Sequence, residues 1–163
     1  MIDLGEYNFC ICKKINSIPS ECVNEYRFSD NGKSVQLKPG PSEKTTLITI
    51  DKCLIPDSRR KCDCLFIYET KHKNYTFLVE LKGKNHIDSA FDQLSKTRKY
   101  DEYKSIISQL KHPVNKYVIV SDIHLNKVAL QKLEKEYNIR VGSILYSEPS
   151  SRVPDLKMKL RAS

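Results

Sequence analysis

From Thr45 to Val120 the chain moves between two rhythms. Thr45 to Ile50 (TTLITI), Cys64 to Tyr68 (CLFIY) and Tyr75 to Leu81 (YTFLVEL) are short apolar runs rich in β-branched and aromatic residues, the composition of strands. The last two flank the polar stretch Lys71 to Asn74, a connection of hairpin length, so they should pair antiparallel. Past Gly83 the period lengthens. Ile87, Ala90, Phe91 and Leu94, then Tyr103, Ile106, Ile107 and Leu110, recur at helical spacing, with Asn85 placed to cap the helix and Asp88 in its first turn. A slip of phase at Arg98 to Asp101 admits one long helix or two joined by a kink, and Pro113 ends the segment. Tyr117 to Val120 (YVIV) is continuously apolar, as in a strand covered on both faces. Val128, Ala129, Leu133 and Tyr137 mark a second amphipathic helix, and Ile139 to Tyr146 suggests a final strand.

The flanks are less regular. Tyr7 to Cys12 alternates and reads as an edge strand, while Ser17 to Phe28, with Pro19 early and acids at Glu21 and Glu25, reads as a short helix. Turn residues at Asp30, Asn31 and Gly32 and at Pro39, Gly40 and Pro41 make 29–44 a loop with one short strand around Val35. From Glu148, Pro149, Ser150, Ser151 and Pro154 break any pattern, so 148–163 is expected to be a loosely docked basic tail behind a single domain of residues 1–147. Strands, helix, strand, helix imply an α/β fold with a mixed central sheet flanked by helices.

A chain of 163 residues can bury a core without staples. No apolar run approaches the ~20 residues needed to cross a bilayer, so no membrane role is expected. Asp3 is an acid where a signal peptide carries a base, which with the missing apolar segment points to the cytoplasm. Six cysteines are then expected as thiols. Cys10, Cys12, Cys62 and Cys64, with Cys22 or Cys53 as substitutes, admit a structural zinc; buried, unliganded thiols are the other reading.

The formal net charge of +8 is gathered at Arg59, Arg60 and Lys61, at Lys82 and Lys84, and at Lys96, Arg98 and Lys99, which suits a polyanionic partner such as nucleic acid. His72, His86, His112 and His124 each stand alone and suggest no chemistry.

One short stretch adds chemistry. Glu80 and Lys82 close an apolar strand, and residues two apart on a strand share a face. A hairpin turn centred between His72 and Lys73 sets Asp63 opposite Lys82 and Leu65 opposite Glu80, so Asp63, Glu80 and Lys82 converge; a slip of one residue would destroy the match. Two carboxylates against one lysine on an apolar sheet leave a deficit of positive charge. Either carboxylate pKa values rise or a cation sits between them, and oxygen donors suit magnesium or manganese. A plain ion pair without catalytic duty is the competing reading.

Asp63, followed seventeen residues later by Glu80, Leu81 and Lys82 at the end of the next strand, resembles the acid...(D/E)-x-K signature of the PD-(D/E)XK nuclease superfamily, which includes restriction endonucleases and Holliday-junction resolvases. The resemblance spans roughly residues 45–121. It implies a restriction-endonuclease-like core and a nuclease dependent on Mg²⁺ or Mn²⁺, with Asp63, Glu80 and the Leu81 carbonyl as metal ligands and Lys82 as the catalytic lysine. Gln93, on the following helix, resembles a glutamine that some branches hold near the site, and is counted with the catalytic residues. Members often add an early acid, for which Glu21, Glu25 and Glu43 compete. DNA is the expected substrate by the same resemblance, with Arg59, Arg60, Lys84, Lys96, Arg98 and Lys99 placed to meet its phosphates. Cutting both strands needs two sites, so a homodimer is compatible. The alternative is a catalytically inactive nuclease-like module that binds nucleic acid or protein.

Overall fold

The structure, a computed structural model, describes residues 1–13, 19–83, 86–149 and 152–161. Its centre is a five-stranded mixed sheet whose strands lie in sequence order: β4 (Lys44–Thr49), β5 (Cys64–Glu69), β6 (Asn74–Lys82), β7 (Val114–Ser121) and β8 (Leu145–Tyr146). The first three pair antiparallel and the last three parallel. Between β6 and β7 run two helices, α1 (Ile87–Thr97) and α2 (Asp101–Ile107). The phase slip is thus a break, and Tyr100 is extended at the start of α2. Asn85, the expected cap of α1, lies outside the described residues; His86 occupies the position before the helix without capping it by its side chain. A third helix, α3 (Lys127–Tyr137), opens with the Asn126 side chain accepting the Ala129 N–H and closes on Asn138 in the left-handed conformation.

Each strand feeds two cores because side chains alternate across the sheet. Ile48, Leu65, Ile67, Leu78 and Ile119 meet Ala90, Phe91 and Leu94 of α1 and Ile106 of α2. Leu47, Phe66, Phe77, Val79, Val118 and Val120 face the other way. That second face is not roofed by a helix, as expected, but by a three-stranded antiparallel sheet of β1 (Cys22–Asn24), β2 (Arg27–Asp30) and β3 (Lys33–Gln36), through Phe28, Val35 and Leu37. The helix expected over Ser17 to Phe28 is therefore strand and turn in its described part. Its acids sit on a ribbon rather than a helical stripe, and Cys22 and Phe28, cross-strand partners, are the buried pair.

Tyr7 to Cys12 is likewise no strand: a 3-10 helix spans Gly5–Cys10, and only then does Ile11 bridge Ile48, with Cys12 N–H on the Leu47 carbonyl. The segment covers the β4 edge that would otherwise be left open. Both disulfides anchor it, Cys10 to Cys53 and Cys12 to Cys22, leaving Cys62 and Cys64 as buried free thiols. This corrects the expectation of six thiols and removes the four-cysteine zinc site, since Cys10 and Cys12 are spent on other partners. Disulfides persist in oxidising surroundings, which pulls against the expected cytoplasmic setting. No helix among the described residues is long and apolar enough to cross a membrane.

The final strand is shorter than the pattern suggested, only Leu145–Tyr146. The C-terminal segment is also no loose tail where it is described. Asp155 bridges Gln36, Leu156 is fully buried, and a short helix, α4 (Met158–Arg161), carries the buried Lys159. The prolines and serines ended the pattern, but one leucine was enough to dock the chain.

Candidate metal centre

The β5–β6 hairpin turns one residue earlier than expected, between Lys71 and His72, which shifts the pairing register by two: Glu69 pairs with Asn74, Leu65 with Leu78 and Cys64 with Val79. An even shift preserves which residues share a face. Asp63 extends the pairing by one step, its N–H donating to the Val79 carbonyl at 3.2 Å, so that it lies opposite Glu80 instead of Lys82. Its own carbonyl accepts from Ile50 N–H at 2.9 Å on the β4 side. Asp63 is thereby fixed by main chain on both flanks at the end of the sheet.

The acids are deeply enclosed. Asp63 is 9% exposed and Glu80 2%. Asp63 Oδ2 accepts the Leu81 N–H at 2.8 Å, and Glu80 Oε2 lies 3.2 Å from Lys82 Nζ. Lys82 is the member that reaches outward, its side chain 22% exposed. Glu80 Oε1 is buried with no donor in reach. Burial, then the charge of Asp63, pushes the Glu80 carboxyl up to about 10. Burial also raises Asp63, but less decisively, because its hydrogen bonds to Glu80 and to Leu81 N–H favour its charged form. Without a cation, the physical solution is one proton held on Glu80 and shared with Asp63. A proton shared by two buried carboxyls is also what a small divalent ion can displace. The donor set therefore fits Mg²⁺ or Mn²⁺, although two carboxylates are all that converge: among the described residues no three of His, Cys, Asp and Glu form a metal-holding group. Leu81 reaches the site through its N–H, which donates to Asp63.

α1 holds the segment leading into Asp63. Gln93 Nε2 donates to the Lys61 carbonyl at 2.9 Å, Thr97 Oγ1 accepts Cys62 N–H at 2.9 Å, and Tyr100, just past the helix, donates to the Arg60 carbonyl at 2.7 Å. Gln93 is thus a clamp rather than a solvent-facing residue, and its Oε1 is a second buried oxygen without a donor. The Thr97 contribution had no signal in the sequence beyond a hydroxyl on the apolar side of a helix.

None of Glu21, Glu25 and Glu43 completes the site. Glu43 accepts from Gly40 N–H and pairs with Lys157 at 3.7 Å, at the other end of β4. The acids whose charges reach Asp63 are Asp30, at the end of β2, and Asp51. Asp30 was hidden in an Asp-Asn-Gly sequence that reads as a turn, which it borders; burial and the charge of Glu21 raise its pKa. Asp51 is compensated by Lys61 at 3.7 Å.

The expected phosphate-binding cations are mostly engaged by acids. Arg59 forks onto Asp57 and Glu102 and stacks on Tyr100. Arg60 Nε sits 2.7 Å from Asp92, which Lys96 also meets at 3.2 Å. Arg98 lies over the Tyr117 ring and donates to the Tyr137 carbonyl. Lys99 is exposed, and Lys84 lies outside the described residues. Local carboxylates at Asp57, Asp92 and Glu102 thus offset a surplus that counting along the chain could not resolve. All four histidines are exposed, as expected.

No protein-family model matches the chain, and no curated protein or solved structure matches it.

Proposed function

We propose that this protein is a divalent-metal-dependent phosphodiesterase of the PD-(D/E)XK type, with a restriction-endonuclease-like core, acting on nucleic acid and on DNA in preference. The observation that carries the reading is a pair of buried carboxyls, Asp63 and Glu80, opposite one another at the end of an apolar sheet, with Glu80 Oε1 lacking a donor and Glu80 Oε2 on Lys82. Burying two carboxylates costs several kcal/mol unless a ligand or proton compensates, and a folded core has no use of its own for that cost.

Asp63 and Glu80 would hold Mg²⁺ or Mn²⁺. Bound there, the ion supplies Lewis-acid polarisation of a phosphodiester and a bound water of lowered pKa. Lys82, anchored on Glu80 yet open to solvent, places an ammonium where charge develops on the phosphate and where an attacking water can donate to or accept from its neighbours. The Leu81 N–H orients Asp63, and Gln93 with Thr97 holds the approach to it. Gln93 accordingly acts as a positioning residue.

The second reading, an inactive nuclease-like module, is favoured by the satisfied 3.2 Å Glu80–Lys82 pair and by the presence of only two converging acids. Calorimetric titration of Mn²⁺ into the metal-free protein, with cleavage assays on plasmid and branched DNA, separates them. One Mn²⁺ bound and metal-dependent cleavage, abolished in Lys82→Ala with DNA affinity kept within severalfold, supports the nuclease. Neither binding nor cleavage leaves the module.

A further inference from the structure

A second polar centre sits away from these acids, beside the outer edge of β7. β8 pairs with β7 only at Val120 and Ser121, so the stretch Val114 to Val118 keeps one main-chain edge unpaired among the described residues. That edge floors a cavity of about 520 Å³ whose far wall is the 140–143 segment and the C-terminal helix. Lys116 pairs with Phe77 and so shares the face opposite Glu80.

The cavity wall is built around a buried ammonium. Lys159 is 8% exposed, and its Nζ donates to the Val141 carbonyl at 3.0 Å, to the Ser143 carbonyl and to Ser143 Oγ at 3.1 Å. All three partners are neutral. A buried charge held only by neutral oxygens lacks its counter-ion. Lys116 stands close enough to repel it, and Arg140 lines the same space. The acid facing this group is Glu134, and its Oε2 is occupied by the N–H groups of Val141 and Gly142 at 2.7 and 2.9 Å. Three cations against one carboxylate leave a surplus of two positive charges around a cavity that also exposes backbone amides. Gly142, at φ +77°, has open space where a side chain would project, so the wall does not close over the opening.

We infer that this cavity binds a phosphate-type dianion carried by a small ligand, held by Lys116, Arg140 and main-chain N–H groups of the β7 edge, with the charge of the buried Lys159 behind them. The charge surplus matches a phosphomonoester, and the volume falls within the range of about 300–1,000 Å³ that small-ligand sites occupy. A nucleic-acid backbone, with one charge per phosphate and no terminal dianion, matches two surplus charges at one point less well. The site stands independently of the nuclease reading, because no residue is shared between the two.

The test is calorimetric titration with inorganic phosphate and with adenosine monophosphate, using a single-stranded oligonucleotide as the polymer arm. Saturable binding at one site with Kd below about 1 mM for phosphate or the nucleotide is expected, weakened about tenfold or more in Lys116→Ala/Arg140→Ala. The buried ammonium now titrates at about 8, against an ordinary 10.5, because burial and Lys116 disfavour its charge; a bound dianion should move it back up, readable by NMR of the Lys159 Cε and Nζ. A merely structural lysine would not respond. Equal binding in the double variant, or a Lys159 titration indifferent to phosphate, overturns the proposal. So does binding of the oligonucleotide alone, which would assign the surface to a polymer. Failure here leaves Mn²⁺ binding by Glu80 untouched, so the two outcomes are distinguishable.

Discussion

Metal binding at Asp63 and Glu80 should be coupled to release of one proton, and the coupling has a definite slope. In the metal-free state the Glu80 carboxyl titrates at about 10, against 4.5 for an ordinary glutamate, because it is buried beside Asp63. At neutral pH it therefore carries its proton, and a cation that takes the same oxygen must expel it. One proton exchanged per ion makes Mn²⁺ affinity rise about tenfold per pH unit, ~1.4 kcal/mol, from near neutrality until the curve flattens close to the Glu80 pKa. The stability of the metal-free protein carries the opposite signature. A carboxyl with a raised folded pKa stabilises fully below its unfolded value, and that contribution drains away as pH climbs towards the folded one. The metal-free melting temperature should therefore fall between about pH 5 and pH 10, while saturating Mn²⁺ should flatten the profile. Calorimetry in buffers of different ionisation enthalpy counts the released proton directly. Mn²⁺ affinity independent of pH, with no proton released, would refute the shared-proton site and with it the physical basis for placing the ion there.

Glu80→Gln supplies an amide N–H for Asp63 and removes the ionisation, so it should abolish Mn²⁺ binding while raising the metal-free melting temperature at alkaline pH, by ~2–4 °C for each kcal/mol recovered; a variant less stable than wild type at pH 9 would show that the Glu80–Lys82 pair is the more important contact. Gln93→Ala deletes the bond to the Lys61 carbonyl and should cost ~1 kcal/mol of stability with weaker Mn²⁺ binding, measured by denaturant melts and calorimetry. Reducing the Cys10–Cys53 bridge, which spans 43 residues, should cost more than reducing Cys12–Cys22, which spans 10, at ~4 against ~3 kcal/mol on loop-closure entropy. Serine substitution of each pair and urea titration would rank them.

What could be seen along the chain, and what could not, divides by the range of the interaction. TTLITI, CLFIY, YTFLVEL and YVIV announced their strands because burial on both faces leaves a continuous apolar run, and α1 showed its period because one face meets the sheet. The hairpin survived an error of two residues in its register, since parity, not the turn position, decides which side chains share a face. The carboxylates that meet the expected phosphate-binding cations were not legible, because whether Arg60 is free depends on Asp92, thirty-two residues away in sequence and on another element. Asp30 and the disulfide partners were missed for the same reason: each acquires its meaning from a neighbour the local pattern does not contain.

The distribution of charge follows from the same distinction and explains why the two polar centres differ in kind. At the end of β5 and β6 two buried carboxyls share a single lysine, and Glu80 keeps its proton beside Asp63. Beside β7 the excess is positive and walled, since Lys159, Lys116 and Arg140 share a single glutamate. Neither imbalance helps the fold: an apolar pair in place of Asp63 and Glu80, or a methionine at 159, would pack the same sheet without a desolvation cost. Both imbalances are what the proposed ligands would relieve, a divalent cation at Asp63 and Glu80 and a dianion beside β7. Each site should then stabilise the protein when filled, and the two increments should add, because the centres share no residue.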